Sequence, residues 1–423
     1  MRKLSQALFL AAYLLPLPAA LAAGPEELSW EDCVREALAA NPALKAKRLS
    51  VEQNRYLYLA GYNAYLPKVN VSHSVNRSGG DGLSPSNRWN FGLSASEPIL
   101  DLKAVSSIKS ARLNLDQAEA AYRAESASLR QTLFSAFTGL LVAQERVKVQ
   151  NKIAELREQN ARLIKLKYDS GMESRGNMMY AAALHELSRT DAQKAGRALE
   201  MARRELLSGL GSAQYRPVAA KAELRTPSLD LKPEEVRAAV ENAPQVVSAR
   251  TGAALARQRS LSARYDLFPT VSANQSLGWS GKTEFPEDRN WSLGLTMSLP
   301  LFGSGLTYYP NNTAAAKAAL KSAEQSLRDL QISLENGIMS AFYDFQNALD
   351  TALANVAVLK ANEERYKESQ IKYMAGKISF LDLENVEQSL VDNQLNQLQY
   401  LQNASVKKIA VENRLGIGLE DRR

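Results

Sequence analysis

The chain has little of the chemistry that builds covalent links or metal sites. Among its 423 residues there is one cysteine, Cys33, and there are two histidines. A single cysteine cannot form a disulfide within one chain, and two histidines without further cysteines are too few for a zinc site. We therefore expect no metal and no cofactor, and we expect Cys33 to be a buried thiol on a short helix.

Long apolar runs are also missing, apart from one at the start. The segment 1–23 has a basic end at Arg2 and Lys3, a short apolar core and a small-residue cleavage site, which is typical of a cleaved secretory signal peptide. No other run approaches the length of a transmembrane helix, so any membrane crossing would have to use strands. Cys33 lies well past the cleavage site, so the sequence predicts an exported protein that is not a lipoprotein.

A strong excess of one charge is absent as well. The formal net charge is +7, and it falls to +5 when Arg2 and Lys3 leave with the signal peptide. This excess is modest and is spread along predicted helices. It does not indicate a nucleic acid partner.

Proline is absent from two long stretches, 99–216 and 311–423, which are rich in good helix formers. Over 103–168, the heptad spacing of apolar residues predicts coiled-coil packing rather than the stripe of a globular helix. In each stretch we expect a very long helix, a glycine-marked turn and a second helix. The long helices are predicted over 103–168 and 313–373, and the second helices over 178–208 and 380–414.

The mature chain repeats itself once. Tyr65-Leu66-Pro67 matches Leu267-Phe268-Pro269 at an offset of 202 residues, and later pairs such as Gly171 and Gly376 share an offset of 205. A nearly constant offset across different residue types indicates duplication. The sequence therefore predicts a signal peptide, a first repeat, a linker, a second repeat and a short tail, over 1–23, 24–211, 212–233, 234–418 and 419–423.

Each repeat carries two segments in which apolar and small polar residues alternate, over 69–77 and 88–97 and over 270–279 and 290–299. The period of two predicts strands with one apolar face. A soluble sheet packed on a core and a membrane barrel with a wet lumen both produce this pattern. Tryptophans near the strand ends favour the membrane. The predicted lipid-facing residues are Trp89, Phe91, Leu93, Trp291, Leu293 and Leu295.

The number of strands indicates an oligomer. Four strands cannot close a membrane barrel, because known barrels begin at eight and open edges are not tolerated in lipid. Two chains would supply eight strands and three would supply twelve. An eight-stranded barrel is filled by its own side chains, and the small inward residues here would leave it underpacked. The pattern therefore favours a trimer around a water-filled lumen.

The chain resembles a known family in four motifs, Asn41-Pro42-Ala43-Leu44, Ala64-Tyr65-Leu66-Pro67, Tyr168-Asp169-Ser170-Gly171 and Tyr373-Met374-Ala375-Gly376. With the duplication, these make it similar to the TolC-like outer-membrane efflux proteins over essentially the whole mature chain. The resemblance implies a mainly α protein with a membrane β-barrel portion, built as a homotrimer with a twelve-stranded barrel on a long α-helical barrel. It also implies an exit duct in the outer membrane of a Gram-negative bacterium, with a large periplasmic portion. A periplasmic adaptor protein and an inner-membrane pump are the implied partners.

The resemblance also implies a gate and a docking surface at the helix turns 170–177 and 375–380. Asn177 and Asn385 occupy positions at which the family is expected to have acidic residues, so this gate should contain fewer charged side chains. The gate candidates are Tyr373, Asp382, Asn385, Tyr168 and Asn177. The candidates for adaptor docking are Gly171, Met172, Ser174, Gly376, Lys377 and Ser379.

These turn residues also have simpler interpretations. Ser379-Phe380-Leu381-Asp382 matches a helix-start capping box, with Asp382 in the first turn, and capping is compatible with gating. Tyr168 and Tyr373 could pack the helix ends, and the two glycines could permit a positive φ.

The sequence contains no catalytic constellation, so we do not expect an enzyme. Two other functions remain open beside the duct. A periplasmic coiled-coil adaptor would need an anchor and a β-rich middle domain, and neither is seen in the sequence. A purely structural envelope protein is the other alternative.

Overall fold

The computed structural model describes residues 25–300 and 303–421, so the predicted signal peptide at 1–23 lies outside the described residues. The first half contains β1 Glu26–Leu28, α1 Trp30–Ala40, α2 Pro42–Gly61, β2 Lys68–Gly80, β3 Leu83–Leu100, α3 Leu102–Asp169 and α4 Arg175–Leu210. The second half contains β4 Val218–Ala220, α5 Pro233–Asn242, α6 Pro244–Tyr265, β5 Thr270–Gly281, β6 Asp288–Ser298, α7 Tyr308–Met374 and α8 Phe380–Arg414.

Two very long helices form the frame of the molecule. α3 and α7 have 68 and 67 residues, and at this length each is about 100 Å long. α3 packs against α2, α4, α6 and α8, and α7 packs against α6 and α8. α7 begins at Tyr308, ahead of the predicted start at 313, because Pro310 falls in its first turn, where a missing N–H costs nothing. Among the described residues, no helix is both long enough and apolar enough to cross a membrane.

The shorter helices are interrupted where proline follows a residue in extended conformation. Asn41 lies between α1 and α2, and its side-chain oxygen accepts hydrogen bonds from the N–H groups of Ala43 and Leu44 at 3.0 and 3.1 Å. Pro42 is the first residue of α2, a position at which its fixed φ suits a helix. The cap and the proline together explain why one helix ends here and the next begins.

The four longer strands form one antiparallel sheet in the order β2-β3-β5-β6. Its register aligns Val71, Leu93, Leu277 and Trp291 across all four strands. The next row aligns Asn70, Ser94, Ser276 and Ser292. Apolar and polar rows therefore alternate as the period of two requires. Within the described residues, β2 and β6 are edges without a further partner strand.

The first two of these strands extend beyond the predicted ranges 69–77 and 88–97. β2 has 13 residues and β3 has 18, and they are joined by a tight turn at Asp81 and Gly82. Gly82 has φ +81°, a conformation that glycine adopts without a side-chain clash. The pairing runs on to Gly80 and Leu83, with an irregularity in register between Ser78 and Gly80, so the hairpin continues where a loop could have formed.

A small parallel pair of strands, β1 and β4, lies in segments without sequence periodicity, and the sequence analysis did not predict it. Leu28 pairs with Ala220, which brings part of the segment 212–233, interpreted as a linker, onto the N-terminal region. Val218 and Cys33 are fully buried there, in a core shared with α1, α3 and α4. Burial, followed by the nearby carboxylates of Glu36 and Asp32, raises the pKa of the Cys33 thiol to about 12. The thiol is therefore protonated and unreactive.

The C-terminal segment is anchored on α3. The buried guanidinium of Arg130 donates to Glu412 at 2.9 Å and to the backbone carbonyls of Gly418 and Asp421 at 3.2 and 3.1 Å. Residues 419–421 of the tail predicted at 419–423 thus contribute contacts to the core, including the buried side chain of Leu419.

Candidate functional site

The two long helices end in similar turns, 170–174 and 375–379, which we call the tip turns. Gly171 and Gly376 have φ of +75° and +70°. Each lets the following N–H turn back, so that Met172 donates to the carbonyl of Lys167 and Lys377 donates to that of Lys372. A residue with a side chain is sterically strained at such a φ, which explains the glycine in each motif. The first turn is shorter than predicted, because α4 already begins at Arg175.

One side-chain cluster joins the two tip turns. The hydroxyl of Tyr373 donates a 2.7 Å hydrogen bond to Glu173, and the Lys167 ammonium donates to the Tyr373 carbonyl at 2.9 Å. The same ammonium lies 3.9 Å from the centre of the Tyr373 ring, within range for a cation–π contact. Asn177 donates to the other oxygen of Glu173 at 2.8 Å. We call Lys167, Glu173, Asn177 and Tyr373 the tip cluster.

The environment keeps the partners of the tip cluster in complementary protonation states. Partial burial alone would raise the pKa of Glu173, but hydrogen bonds from Asn177 and Tyr373 and the charge of Lys167 hold it below its ordinary value. Burial, followed by the Glu173 carboxylate, raises the pKa of the Tyr373 phenol well above its ordinary value. At neutral pH the phenol is therefore a donor and Glu173 a charged acceptor.

Of the five gate candidates, the structure brings two, Tyr373 and Asn177, into this cluster. Asp382 instead completes a capping box, because its carboxylate accepts from the hydroxyl and N–H of Ser379 at 2.6 and 3.0 Å while its own N–H donates back at 3.2 Å. Those Ser379 hydrogen bonds lower the pKa of Asp382. Asn385 is exposed and Tyr168 is half-buried, and neither belongs to the cluster.

Sequence reasoning missed Glu173 and Lys167. Glu173 is the single acidic residue between Asp169 and Asn177, which is the signal that could have singled it out. Its partner Tyr373 is 200 residues away along the chain, and no local pattern connects them.

A second, buried polar cluster lies about three helical turns from the tip turns. Arg157 on α3 forms an ion pair with Glu387 on α8 at 3.2 Å, and both side chains are only 7% exposed. Asn160 donates to Glu387 and, at 3.0 Å, to the hydroxyl of Tyr366 on α7. Burial outweighs the Arg157 charge and raises the pKa of Glu387, and burial raises that of Tyr366 to about 12. These four residues, the buried cluster, tie α3 to α7 and α8.

The docking candidates lie on the surface of the tip turns. Gly171, Ser174, Gly376, Lys377 and Ser379 are exposed, and Met172 exposes 69% of its side chain. An exposed methionine beside small residues gives a partner an adaptable apolar contact.

The sheet leaves its apolar rows uncovered. Trp291, Leu293 and Leu295 are 73%, 69% and 73% exposed, and Phe91 and Leu93 are 39% and 40% exposed. The polar rows are linked by side-chain hydrogen bonds, such as Ser276 with Ser292 at 2.8 Å and Asn274 with Thr296 at 2.9 Å. Exposed apolar surface of this extent is typical of contact with a membrane or a partner.

No group of three or more histidine, cysteine, aspartate or glutamate side chains lies close enough to hold a metal ion in the part of the chain that the structure describes. The polar clusters of the helices are instead built from hydrogen bonds and ion pairs.

Comparison with known proteins agrees with this geometry. The model of the family described as "Outer membrane efflux protein" matches residues 33–212 and again residues 236–416. The alkaline protease secretion protein AprF of Pseudomonas aeruginosa is 24% identical over 396 residues, covering 86% of this chain and 80% of the relative. The cobalt-zinc-cadmium resistance protein CzcC of Cupriavidus metallidurans is 25% identical over 321 residues, covering 73% of each chain.

A solved structure of an outer membrane channel has a similar fold. The open state of the MtrE outer membrane channel of Neisseria gonorrhoeae superposes with a TM-score of 0.81 at 21% identity, covering 92% of this chain and 89% of that one. Because the family model matches most of the sequence, the chain belongs to the outer membrane efflux protein family.

Proposed function

We propose that this outer-membrane channel is assembled from three copies of the chain, which close one twelve-stranded barrel above a long helical duct. The observation that carries the proposal is the four-stranded sheet, whose two edges have no partner strand among the described residues and whose apolar rows are exposed. In lipid, an unpaired edge leaves N–H and C=O groups unsatisfied, so each edge must meet a neighbouring copy. Three copies leave a lumen lined by serine, asparagine and glycine, which suits water.

The helices are suited to the wall of the duct. α2 and α4 have 20 and 36 residues, and end to end they match most of the 68 residues of α3. α6 and α8 relate to α7 in the same way. This equivalence, and the double match of the family model, support the proposed duplication of the chain.

The exposed tip turns are the proposed contact for a periplasmic adaptor, through which an inner-membrane pump delivers its cargo. The names of the relatives cover protease secretion and metal resistance. Because such different cargoes share one kind of duct, we assign the choice of cargo to the pump.

Export through a cleaved signal peptide at 1–23 completes the proposed location, an outer membrane with a large periplasmic portion. A lipid anchor on Cys33 does not fit, because this side chain is buried in the core that α1 shares with α3 and α4. No enzymatic role is assigned to the chain.

Fractionation separates this function from its alternatives. A duct will remain with the outer membrane after washing with high salt, because its apolar rows contact lipid. A periplasmic adaptor without an anchor, or a structural rod, will be released by the same wash. Release of the folded protein would overturn the proposal.

We further propose that the tip cluster is a latch that holds the duct closed. It joins the turn after α3 to the end of α7, and opening the periplasmic end requires these turns to separate. A buried hydrogen bond to a charged group is worth about 1.5–3 kcal/mol, and the partial exposure of Glu173 puts this one at the lower end. Three copies around one axis multiply its effect.

Tyr373→Phe is expected to raise single-channel conductance in planar bilayers, because it removes the hydroxyl that donates to Glu173 and keeps the ring. Tyr168→Phe is the matched control. It changes the equivalent residue of the first motif, which lies outside the tip cluster, and should leave conductance unchanged.

Asp382→Asn, which alters a helix cap, should lower thermal stability slightly. If it also reduces cation preference, then Asp382 is part of the gate as well.

The pH dependence of the latch follows from the lowered pKa of Glu173. A lowered pKa means that the latch is intact above the ordinary carboxyl value of 4.5 and is lost as the pH falls through the lower folded value. Wild-type conductance should therefore stay constant from about pH 7 to about pH 5 and rise only at lower pH. Unchanged conductance in both Tyr373→Phe and acidified wild type would remove the gate from this turn.

A further inference from the structure

A groove of about 750 Å³ lies between α2, α3 and α6, close to the point at which the helices give way to the sheet. The hydroxyl of Tyr65, just before β2, donates to the carbonyl of Asp101, just before α3, at 2.8 Å and closes this end of the groove. Its walls are mostly aliphatic, and their side chains come from Val105, Ile108, Leu113, Ala254 and Leu261.

Basic groups are set into these aliphatic walls. Lys109, Arg112 and Arg257 line the groove. Arg112 forms an ion pair with Asp116 at 3.1 Å, whereas Lys109 and Arg257 have no ion pair or hydrogen bond with any described residue. The groove therefore presents uncompensated positive charge beside apolar surface.

Two tyrosines add a hydrogen-bond donor. The hydroxyls of Tyr58 and Tyr62 are 2.7 Å apart, and since only one proton is used in that bond, the other remains available. Arg112 lies over the ring of Tyr58 at 5.7 Å. Cations and a phenol O–H converging beside an apolar wall are complementary to an anionic headgroup attached to an aliphatic chain.

Basic residues also outnumber acidic ones on the two helices that flank α3 at the groove. α2 carries four basic residues and one acid, and α6 carries four basic residues and no acid. These two helices therefore contribute +3 and +4, as much as the +7 of the whole chain. Aromatic residues also gather where the helices meet the sheet, at Tyr65, Tyr265, Phe268, Tyr308 and Tyr309. Basic and aromatic residues together are typical of the headgroup level of a membrane.

We propose that this groove binds the headgroup of an anionic phospholipid from the membrane leaflet next to the helical duct. Lys109 and Arg257 hold the phosphate oxygens, the free phenol O–H donates to them, and an acyl chain lies along Val105, Ile108 and Leu261. The proposal rests on the proposed function, because the groove lies at headgroup level only when the sheet spans the membrane.

The test measures lipid retention by detergent-solubilised full-length protein in native mass spectrometry. The probes are phosphatidylglycerol and phosphatidylcholine with identical acyl chains. Wild type should retain phosphatidylglycerol at least tenfold better, and the double variant Lys109→Gln/Arg257→Gln should lose this preference. The matched control is Arg55→Gln/Arg259→Gln, which removes the same charge from exposed positions outside the groove and should keep the preference.

Three results would overturn the groove site. Equal retention of both lipids would remove the role of charge. Equal loss in the control variant would mean a diffuse surface potential instead of a site. Binding of glycerol phosphate as tight as that of the lipid would mean that a soluble phosphate, such as passing cargo, is the ligand. Planar-bilayer conductance of the same samples tests the channel function independently. A protein that conducts but has no lipid preference overturns the lipid site alone. A folded protein that does not conduct overturns the proposed channel function.

Discussion

Arg157→Ala is expected to lower the free energy of unfolding of the helical duct by about 3–5 kcal/mol, the usual cost of removing one partner from a buried ion pair. The loss leaves the Glu387 carboxylate buried at 7% side-chain exposure without its cation. Asn160 still donates to that carboxylate, but a neutral amide cannot replace a guanidinium. Chemical unfolding in detergent, followed by helical circular dichroism, measures the effect.

Two further variants identify the cause. Arg162→Ala is the matched control, because Arg162 is on the same helix and pairs with Glu158 at the surface, where its side chain is 76% exposed. Loss of an exposed pair should cost no more than about 1 kcal/mol. The double variant Arg157→Met/Glu387→Met removes both charges and should be more stable than Arg157→Ala. Equal losses in Arg157→Ala and Arg162→Ala would show that the buried cluster does not hold α3 to α7 and α8.

Leu293→Arg, the second large effect, is expected to cost about 2–4 kcal/mol of barrel stability if the residue lies near the membrane midplane. Leu293 is 69% exposed in an apolar row of β6, and in the proposed barrel lipid surrounds whatever side chain replaces it. A charged guanidinium there loses its hydration without gaining a partner. The measurement is the urea dependence of folding into lipid vesicles.

Ser292→Arg is the control for the lipid face. Ser292 is one residue away and shares a hydrogen bond with Ser276 on the polar side of the sheet. In the proposed barrel an arginine on that side reaches the water-filled lumen, so the variant should fold and alter conductance instead. Equal damage from both variants would contradict the assignment of the two faces.

Strands were predictable from the sequence where alternation is continuous, but their ends were not. The polar residues before Gly79 and the proline at 85 are typical of a loop, yet pairing across β2 and β3 continues to a two-residue turn. The length of the hairpin depends on the register between β2 and β3, and the types of single residues do not reveal that register. β1 and β4 were missed because strands of three residues are too short to show a period.

The tip turns were predictable as turns because glycine and tyrosine recur at a fixed offset, and the capping role of Asp382 was predictable from four consecutive residues. The contacts between the two tip turns were not predictable from the sequence. Tyr373 and Glu173 are 200 residues apart, and Arg157 and Glu387 are 230 apart. Such pairs form only when α3, α7 and α8 pack side by side. The structure therefore identifies Glu173 as the acidic partner of Tyr373, which the local motif around Tyr373 could not.

The mass of the conducting species in detergent tests the central claim most directly. Protein that forms channels in planar bilayers should be a monodisperse trimer, because three sheets of four strands are needed to close a water-filled barrel. A monodisperse monomer that still conducts ions would contradict the account, since one four-stranded sheet with two open edges cannot enclose a channel in lipid.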